Sequence, residues 1–410
     1  MMDDVPPIVG NLVITISDPI KNDQGMVNSY ISYKVNTETN MEGFECEQFS
    51  VIRRYSDFVW LRQVLSAELS GVIIPPLPEK AVMNRFSPEF VEGRRRALER
   101  FSTRCGEHPH IRVSEMFKMF LSADDDKLTK SKADAKKAQA AASGGWLASL
   151  PISTTSAQEK FKSDEDIKIE EITIYVSNLE TQMRNVSKHT GALTKRGKEL
   201  SQGLFDFGLA FTMLGQHETA ALNSALSQMG HTADQLSLIA ADQVEKEQRC
   251  FEEPIFDYIQ LLQAVKEALD RRAAMRKSYF GAVGDLEVKK AAVAHLEAAV
   301  GNPASEQKLP DAQKALTTAE ETESNAKAEL TTVTGRLLGE VSRFKRAKAD
   351  DMRKVVLDYV QLQIEYNKQM EQQWSDLVPE IESIQVKSVP TVALFDGPLP
   401  GAPPAAAAEN

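Results

Sequence analysis

Along the first hundred and twenty residues the apolar positions change period. Ile8 to Ile16, Val27 to Val35 and Gln48 to Arg54 are β-branched or alternate, the last with Phe49, Val51 and Arg53 on one face, and turn-rich pieces, Ser17 to Gly25 and Asn36 to Gly43, separate them. The pattern predicts a three-stranded antiparallel meander. Beyond it the spacing is helical: Phe58, Leu61, Val64 and Leu65 share one face, Pro88 to Gly106 carries Phe90, Leu98 and Phe101, and Met116 to Leu121 makes a last short turn. Between these helices Ile73-Ile74-Pro75-Pro76-Leu77-Pro78-Glu79-Lys80 packs three prolines into four residues, which imposes an extended, stiff conformation and stops any helix. A small α+β domain over residues 5–123 is expected, an antiparallel sheet with helices.

The second half has a different rhythm. Ile172, Val176, Leu179, Met183, Val186, Leu193, Leu200, Leu204, Phe207, Phe211 and Leu214 step in fours and threes over six heptads, with weak positions at Thr190 and Gly197. Phe251, Ile255, Tyr258, Leu262, Val265 and Leu269 form a second seam. Leu330, Leu337, Val341 and Phe344 begin a third, which resumes at Val355, Tyr359, Leu362 and Tyr366. Three long helices over residues 164–388 follow, broken at His217 to Ser224, bent at Pro254 and turned back by Gly301-Asn302-Pro303 with Pro310. A helix spanning about 222 to 300 would be roughly 120 Å long, and only an all-α coiled-coil assembly buries such a stripe.

Between the two lies a linker, residues 124–163. Lys127, Lys130, Lys132, Lys136 and Lys137 alternate with alanines before Gly144, Gly145, Trp146, Leu147, Leu150 and Pro151. Two readings stand side by side: an amphipathic helix lying on an anionic bilayer with Trp146 and Leu147 as anchors, or a flexible solvated connection. Residues 389–410 end in Pro-Ala low complexity and are expected to be disordered.

Charge narrows the functional classes. The 410 residues carry 48 basic and 59 acidic groups, a net charge of -11, which argues against a nucleic-acid binder. Basic and acidic residues number 14 and 16 in residues 1–123, 7 and 2 in 127–163, and 27 and 38 in 164–410, so only the linker is net positive. The acidic start, Met-Met-Asp-Asp-Val-Pro-Pro, does not read as a secretory signal, and the uncharged stretch 138–158 is too polar to span a bilayer, so a cytosolic protein is expected. Cys46, Cys105 and Cys250 stand far apart, as reduced thiols would.

No catalytic constellation emerges. His108 and His110 flank Pro109 without a cysteine or carboxylate at metal spacing. Gly191 to Glu199 mimics a phosphate loop but has five residues between its glycines and no Ser or Thr after Lys198. No nucleophile elbow is found. A non-enzyme without cofactor or metal is expected.

The chemistry that remains is anion binding. Arg53-Arg54-Tyr55-Ser56-Asp57-Phe58 sits where a strand meets a helix, and guanidinium forks beside a tyrosine make an anion site with a ring-stacking wall. Strand alternation turns Arg53 away from Arg54, so Arg53 is read as secondary, and Ser56 is a further secondary candidate. Lys80 ends the proline loop as a point charge. After it, Val82, Met83 and Phe86 form an apolar turn that either dips into a membrane interface or packs on the domain.

This order of motifs, with Arg94-Arg95-Arg96-Ala97-Leu98-Glu99-Arg100-Phe101 third, resembles the phox-homology (PX) domain of the sorting nexins. The resemblance implies that phosphatidylinositol 3-phosphate is bound, with Arg54 on the 3-phosphate, Tyr55 under the inositol ring, Lys80 on the 1-phosphate and Arg94 on the ring hydroxyls; Arg95 and Arg96 could stand in for Arg94. Three long helices with a proline bend resemble a BAR domain. The stretches Phe251 to Arg272 and Glu340 to Tyr359 are similar to the sorting-nexin version. That resemblance implies a curved dimer, homo- or heteromeric with another nexin, whose basic residues meet the membrane. Arg271, Arg272, Arg276, Lys277, Lys289, Lys290, Lys308, Arg343, Lys345, Arg346, Lys348, Arg353 and Lys354 are available, with Lys289, Lys290, Lys345, Arg346 and Lys348 preferred. What it implies for function is retrograde cargo sorting on the cytosolic face of endosomes with retromer core subunits as partners. The alternatives are a nexin working outside retromer or a coiled-coil scaffold without membrane remodelling.

Overall fold

The computed structural model describes residues 8–22, 29–80, 86–143, 162–218, 220–299 and 303–382. Strands β1 (Leu12–Asn22), β2 (Tyr30–Thr39) and β3 (Gln48–Arg54) form an antiparallel sheet in the order β1-β2-β3. β3 lies where its alternation placed it. β1 and β2 instead begin later than the apolar runs at Ile8 and Val27 and extend into stretches expected to be turns. In β1 the reason is a bulge: the register slips between Ser17 and Ile20, and Asp18 sits at a φ of 49°. Aspartate tolerates that left-handed conformation better than most residues, and Pro19 follows on an edge strand, where its missing N–H breaks no inner ladder.

Helices α1 (Tyr55–Glu68), α2 (Pro88–Glu107), α3 (Pro109–Arg112) and α4 (Glu115–Ser122) follow. Helix α2 starts where the Ser87 hydroxyl accepts from the Phe90 N–H at 3.3 Å and Pro88 occupies the first turn. Its Leu98 and Phe101 join Phe58, Leu61 and Leu65 of α1, Phe117 and Phe120 of α4, and Ile14, Ile16, Tyr33 and Val35 of the sheet in one core. Phe58 is central, edge-on to Phe101 at 6.3 Å and to Phe120 at 5.0 Å. Burying each ring contributes roughly 2–3 kcal/mol.

The basic stretch is helical: α5 (Asp125–Ser143) begins with the Asp124 carboxylate accepting from the Lys127 N–H at 2.8 Å, and Leu128 is buried. Trp146 and Leu147 lie outside the described residues.

The long helices are α6 (Asp164–Gly215), α7 (Ala220–Glu247), α8 (Glu253–Ala298) and α9 (Pro303–Glu382), with a π turn, Gln248–Glu252, joining α7 to α8. The π turn ends two residues before Pro254, whose ring would clash with the carbonyl four residues earlier, at Cys250 within that turn, in a regular helix. The break after Gly215 is closed by Asn223, whose side-chain amide donates to the Gly215 carbonyl at 2.6 Å. Pro310 does not take part in a hairpin; it is exposed within α9, which starts at Pro303.

The chain divides into two compact units, residues 1–187 with 254–352 and residues 188–253 with 353–410. In the first unit a second apolar cluster unites Ile169 and Val176 of α6, Tyr258, Leu262, Val265 and Leu269 of α8, and Leu337, Val341 and Phe344 of α9 with Ile73 from the proline loop. Polar links run beside it. Arg104 of α2 meets Asp257 at 2.5 Å, and Arg62 of α1 meets Glu267 at 2.6 Å.

Glu340 is the hub of these links. Its Oε2 accepts from the Ile73 N–H at 3.2 Å and from Arg343 Nη2 at 2.9 Å, and lies 2.8 Å from His108 Nε2. His108 Nδ1 in turn accepts from the His110 N–H at 3.2 Å. A neutral imidazole with its proton on Nε2 satisfies both ring nitrogens.

In the second unit α6 packs on α7 through small residues. Ser201 donates to the Ser237 carbonyl at 3.0 Å, and a Cβ on Gly208 would stand 2.7 Å from the Gly230 carbonyl oxygen. The large residues of the α6 seam point elsewhere: Leu193, Leu200, Phe207 and Leu214 are each exposed in the single chain. The heptad pattern is therefore present but is not what holds α6 to α7.

The Glu340 hub predicts an acid-sensitive structure. Burial pushes the His108 imidazole below its ordinary 6.5. Burial alone would raise the Glu340 carboxyl, but the His108 and Arg343 donors overcome it and hold the group at about 2. Both folded values are depressed, so the unfolded chain binds more protons and stability rises with pH. The His108 contribution falls away as pH drops below 6.5, and that of Glu340 is present above its ordinary 4.5 and lost toward about 2. Thermal unfolding followed from about pH 8 to pH 3 should show a falling melting temperature in both windows. In His108→Gln the upper limb should flatten, and an unchanged upper limb would clear His108 of it.

Candidate functional site

The junction of β3 and α1 sorts the two arginines. Arg53 points inward, is 1% exposed, and donates Nε to the Phe120 carbonyl at 2.9 Å, Nη1 to the Ile52 carbonyl at 2.9 Å and Nη2 to the Ala123 carbonyl. It also meets Asp125 at 3.3 Å. The expectation of a secondary headgroup contact at Arg53 is therefore corrected: its donors tie β3 to α4 and to the start of α5.

Arg54, one residue on, faces solvent with about half its side chain exposed. It occupies the N-cap position of α1, where its N–H donates to Asp57 Oδ2 at 2.9 Å and its Nε lies 3.3 Å from Asp57 Oδ1. Its guanidinium stands 5.7 Å from the centre of the Tyr30 ring. Lys132 of α5 reaches the same Asp57 oxygen at 2.6 Å and lies over the Trp60 ring at 5.7 Å. Asp57 is thus shared between two cations, which leaves the outer face of Arg54 with a net positive field. Ser56 is exposed, with its hydroxyl 3.5 Å from Asp57 Oδ1.

Tyr55 opens α1 half-buried. Its hydroxyl donates to the Pro78 carbonyl at 2.5 Å, and burial pushes the phenol pKa up, so the donor stays protonated. Arg94 lies 4.4 Å from the centre of the Tyr55 ring and 4.4 Å from that of Phe90, and donates Nη2 to the Glu79 carbonyl at 3.0 Å. Lys80 follows, exposed. The fold therefore gathers Tyr55, Arg94 and the end of the proline loop.

The two other arginines of that run are engaged along their own helix. Arg95 meets Glu92 at 2.8 Å and Glu99 at 2.9 Å, and Arg96 meets Glu92 at 3.4 Å. Phe86 is exposed, 5.2 Å from the Lys21 ammonium. Val82 and Met83 lie outside the described residues.

On the long helices several candidate membrane contacts are internal. Arg272 is buried, bonded to Asp166 at 2.5 Å and to the Thr334 hydroxyl at 3.1 Å, and Arg276 shares Asp166 at 3.0 Å. Arg271 donates to the Val72 carbonyl at 3.3 Å, and Arg343 to Glu340. These arginines knit the first unit together. The preferred set is more open: Lys345 and Arg346 are exposed, and Lys345 and Lys348 lie 4.8 and 5.3 Å from the Tyr175 ring, with Lys348 donating to its hydroxyl at 2.7 Å. Lys289 faces Asp285 at 3.8 Å one turn away, and Lys290 is exposed.

Comparison with known proteins decides the family. The PX domain family matches residues 41–124, and the family described as Vps5 C terminal like matches residues 146–380, more than half of the chain. The chain is a sorting nexin of the PX–BAR type. Sorting nexin 1 of Arabidopsis thaliana is 30% identical to it over 379 residues, covering 91% of this chain and 93% of the relative. Sorting nexin-1 of Mus musculus is also 30% identical, covering 91% of this chain and 72% of the relative. Sorting nexin-2 of Bos taurus is 28% identical, covering 92% and 73%. The cryo-EM structure of the SNX-BAR Mvp1 tetramer covers 89% of this nexin and 99% of its own chain with a TM-score of 0.67 at 17% identity, which establishes a shared fold.

Nexins of this type are membrane-associated and are not enzymes. No group of metal-binding side chains occurs among the described residues of this one. No described helix is long and apolar enough to cross a membrane. Lys132, Arg62 and Glu340 were not anticipated as parts of the site and its surroundings. Lys132 sat in a lysine-alanine run without distinguishing spacing, and the partners of the other two are distant in sequence.

The two neighbouring arginines should separate cleanly by mutation. Arg53→Ala strands buried carbonyls and should cost about 2–4 kcal/mol in urea unfolding, whereas Arg54→Ala should stay within about 0.5 kcal/mol of the parent. Equal costs would mean that Arg54 is structural.

Proposed function

We propose that this nexin binds phosphatidylinositol 3-phosphate through Arg54, Tyr55, Lys80 and Arg94, dimerises through its long helices, and senses or generates curvature on the cytosolic face of endosomes during retrograde cargo sorting. The observation that carries the proposal is the meeting of Arg94, Tyr55 and the proline loop beside an outward-facing Arg54. Arg54 and Lys80 supply charge for two phosphates, and Tyr55 supplies a wall for the ring. Arg94 has the donors for ring hydroxyls, and its place over the Tyr55 ring favours it over Arg95 and Arg96.

The domains in this reading are residues 5–123 for headgroup binding, 124–163 as a basic linker and 164–388 for dimerisation and curvature. The exposed large residues of α6 suit a partner nexin, as a homodimer or heterodimer. Dimerisation doubles the number of headgroup pockets facing one membrane, and avidity then compensates for a modest single-site affinity. Retromer core subunits are the proposed protein partners.

Cosedimentation with liposomes, each carrying one phosphoinositide, tests the headgroup assignment. The wild type should pellet selectively with phosphatidylinositol 3-phosphate, and Arg54→Ala should bind about 10- to 100-fold more weakly while remaining folded. Binding without selectivity would favour a coiled-coil scaffold. In electron micrographs of the same pellets, Lys345→Glu combined with Arg346→Glu should reduce tubulation and leave lipid selectivity intact. Tubes as abundant as those of the wild type would remove these residues from the membrane face.

A further inference from the structure

The proline loop has no regular structure, yet its backbone is held from both sides. From the long helices, Arg336 Nη1 donates to the Ser70 carbonyl at 2.9 Å, Arg271 Nη2 donates to the Val72 carbonyl at 3.3 Å, and Glu340 Oε2 accepts from the Ile73 N–H at 3.2 Å. Arg62 donates Nε to the Pro75 carbonyl at 2.9 Å while its Nη2 is held by Glu267 at 2.6 Å. The fit at the start of the loop is tight. Gly71 has a φ of 87°, and a Cβ there would stand 2.8 Å from the Val333 carbonyl oxygen. The Ile73 side chain is buried in the cluster formed by α6, α8 and α9.

The far end of the same loop serves the candidate pocket. The Pro78 carbonyl receives the Tyr55 hydroxyl, the Glu79 carbonyl receives Arg94, and Lys80 is the next residue. Ile73 and Pro78 are five residues apart, roughly 15 Å in an extended proline-rich conformation that is stiff over that length. A displacement at one end is therefore carried to the other.

We propose that Glu267, Arg271, Arg336 and Glu340 are positioning residues for headgroup binding. By fixing the proline loop they fix Lys80 and the two carbonyls that orient Tyr55 and Arg94, so affinity for an inositol phosphate headgroup depends on the long helices as well as on the domain that touches it. Released from those helices, the loop would have to be ordered at the moment of binding, which weakens association. The proposal rests on the reading of Arg54, Tyr55, Lys80 and Arg94 as that pocket.

The test uses the full chain and a soluble short-chain phosphatidylinositol 3-phosphate in titration calorimetry, which reads one pocket free of avidity and curvature. Glu340→Ala and Glu267→Ala should each weaken binding about three- to tenfold. Glu340→Gln and Glu267→Gln, which keep an acceptor for the Ile73 N–H and for Arg62, should restore most of it. Lys246→Ala, an exposed α7 residue paired with Asp242 and without contact to the loop, should bind as the wild type does. Glu267 is about one-third exposed, so its alanine variant keeps the fold even if Glu340→Ala does not. Wild-type affinity in a folded Glu267→Ala, with binding lost in Arg54→Ala, would overturn the positioning role and leave the pocket standing. Absence of wild-type binding, or an Arg54→Ala variant equal to the wild type, would overturn the pocket and this inference with it.

Discussion

A single carboxylate oxygen on α9 carries much of the organisation of the first unit. Glu340 Oε2 gathers the imidazole that caps α3, the N–H of Ile73 and the guanidinium of Arg343. A carboxylate buried this deeply would ordinarily be penalised, and it is tolerated because each donor replaces a hydrogen bond that water would have made. The apolar seal around it is supplied by Ile73 and the α8 and α9 residues of the same cluster. Remove the carboxylate, and a buried N–H and a buried imidazole are left without acceptors.

The candidate site follows a simpler rule. At the end of β3 successive side chains point to opposite faces, so a pair of identical residues acquires opposite roles: Arg53 spends its donors on main-chain carbonyls inside the domain, and Arg54 keeps its guanidinium outside. The same economy recurs along Arg94, Arg95 and Arg96, where helical geometry sends one guanidinium to the Tyr55 ring and its two neighbours to carboxylates on α2. In both runs backbone periodicity, rather than residue type, separates the cation at the candidate site from the cation that holds the fold.

That is why the placement of the candidate residues was readable in the chain and much of their support was not. Alternation in β3 and the helical spacing of Phe58, Leu98 and Phe101 are local signals, and the structure follows them. The extension of β1 through Ser17 to Asn22 turns on the unusual φ of Asp18, which no periodicity encodes. Arg271, Arg272 and Arg276 read as a solvated or membrane-facing run because a charge pattern does not show whether Asp166 or the Val72 carbonyl will arrive from a hundred or more residues away. The α6 heptads were legible, but the neighbour that packs on α6 was chosen by Gly208, Gly230 and other small residues, whose spacing carries a weaker signal.

The sequence separation between His108 and Glu340, 232 residues, also bears on how the chain is made. The α+β domain emerges from the ribosome first, with most of its core complete once α4 has been synthesised. Ile73 and His108 then wait for α8 and α9. At ordinary elongation rates that delay is on the order of ten to fifty seconds. During it the nascent chain shows an uncovered isoleucine and an imidazole open to water. The proline loop would reach its final rigidity only once α9 has been synthesised, so the interval before α9 arrives is one in which chaperones rather than native contacts would guard that surface.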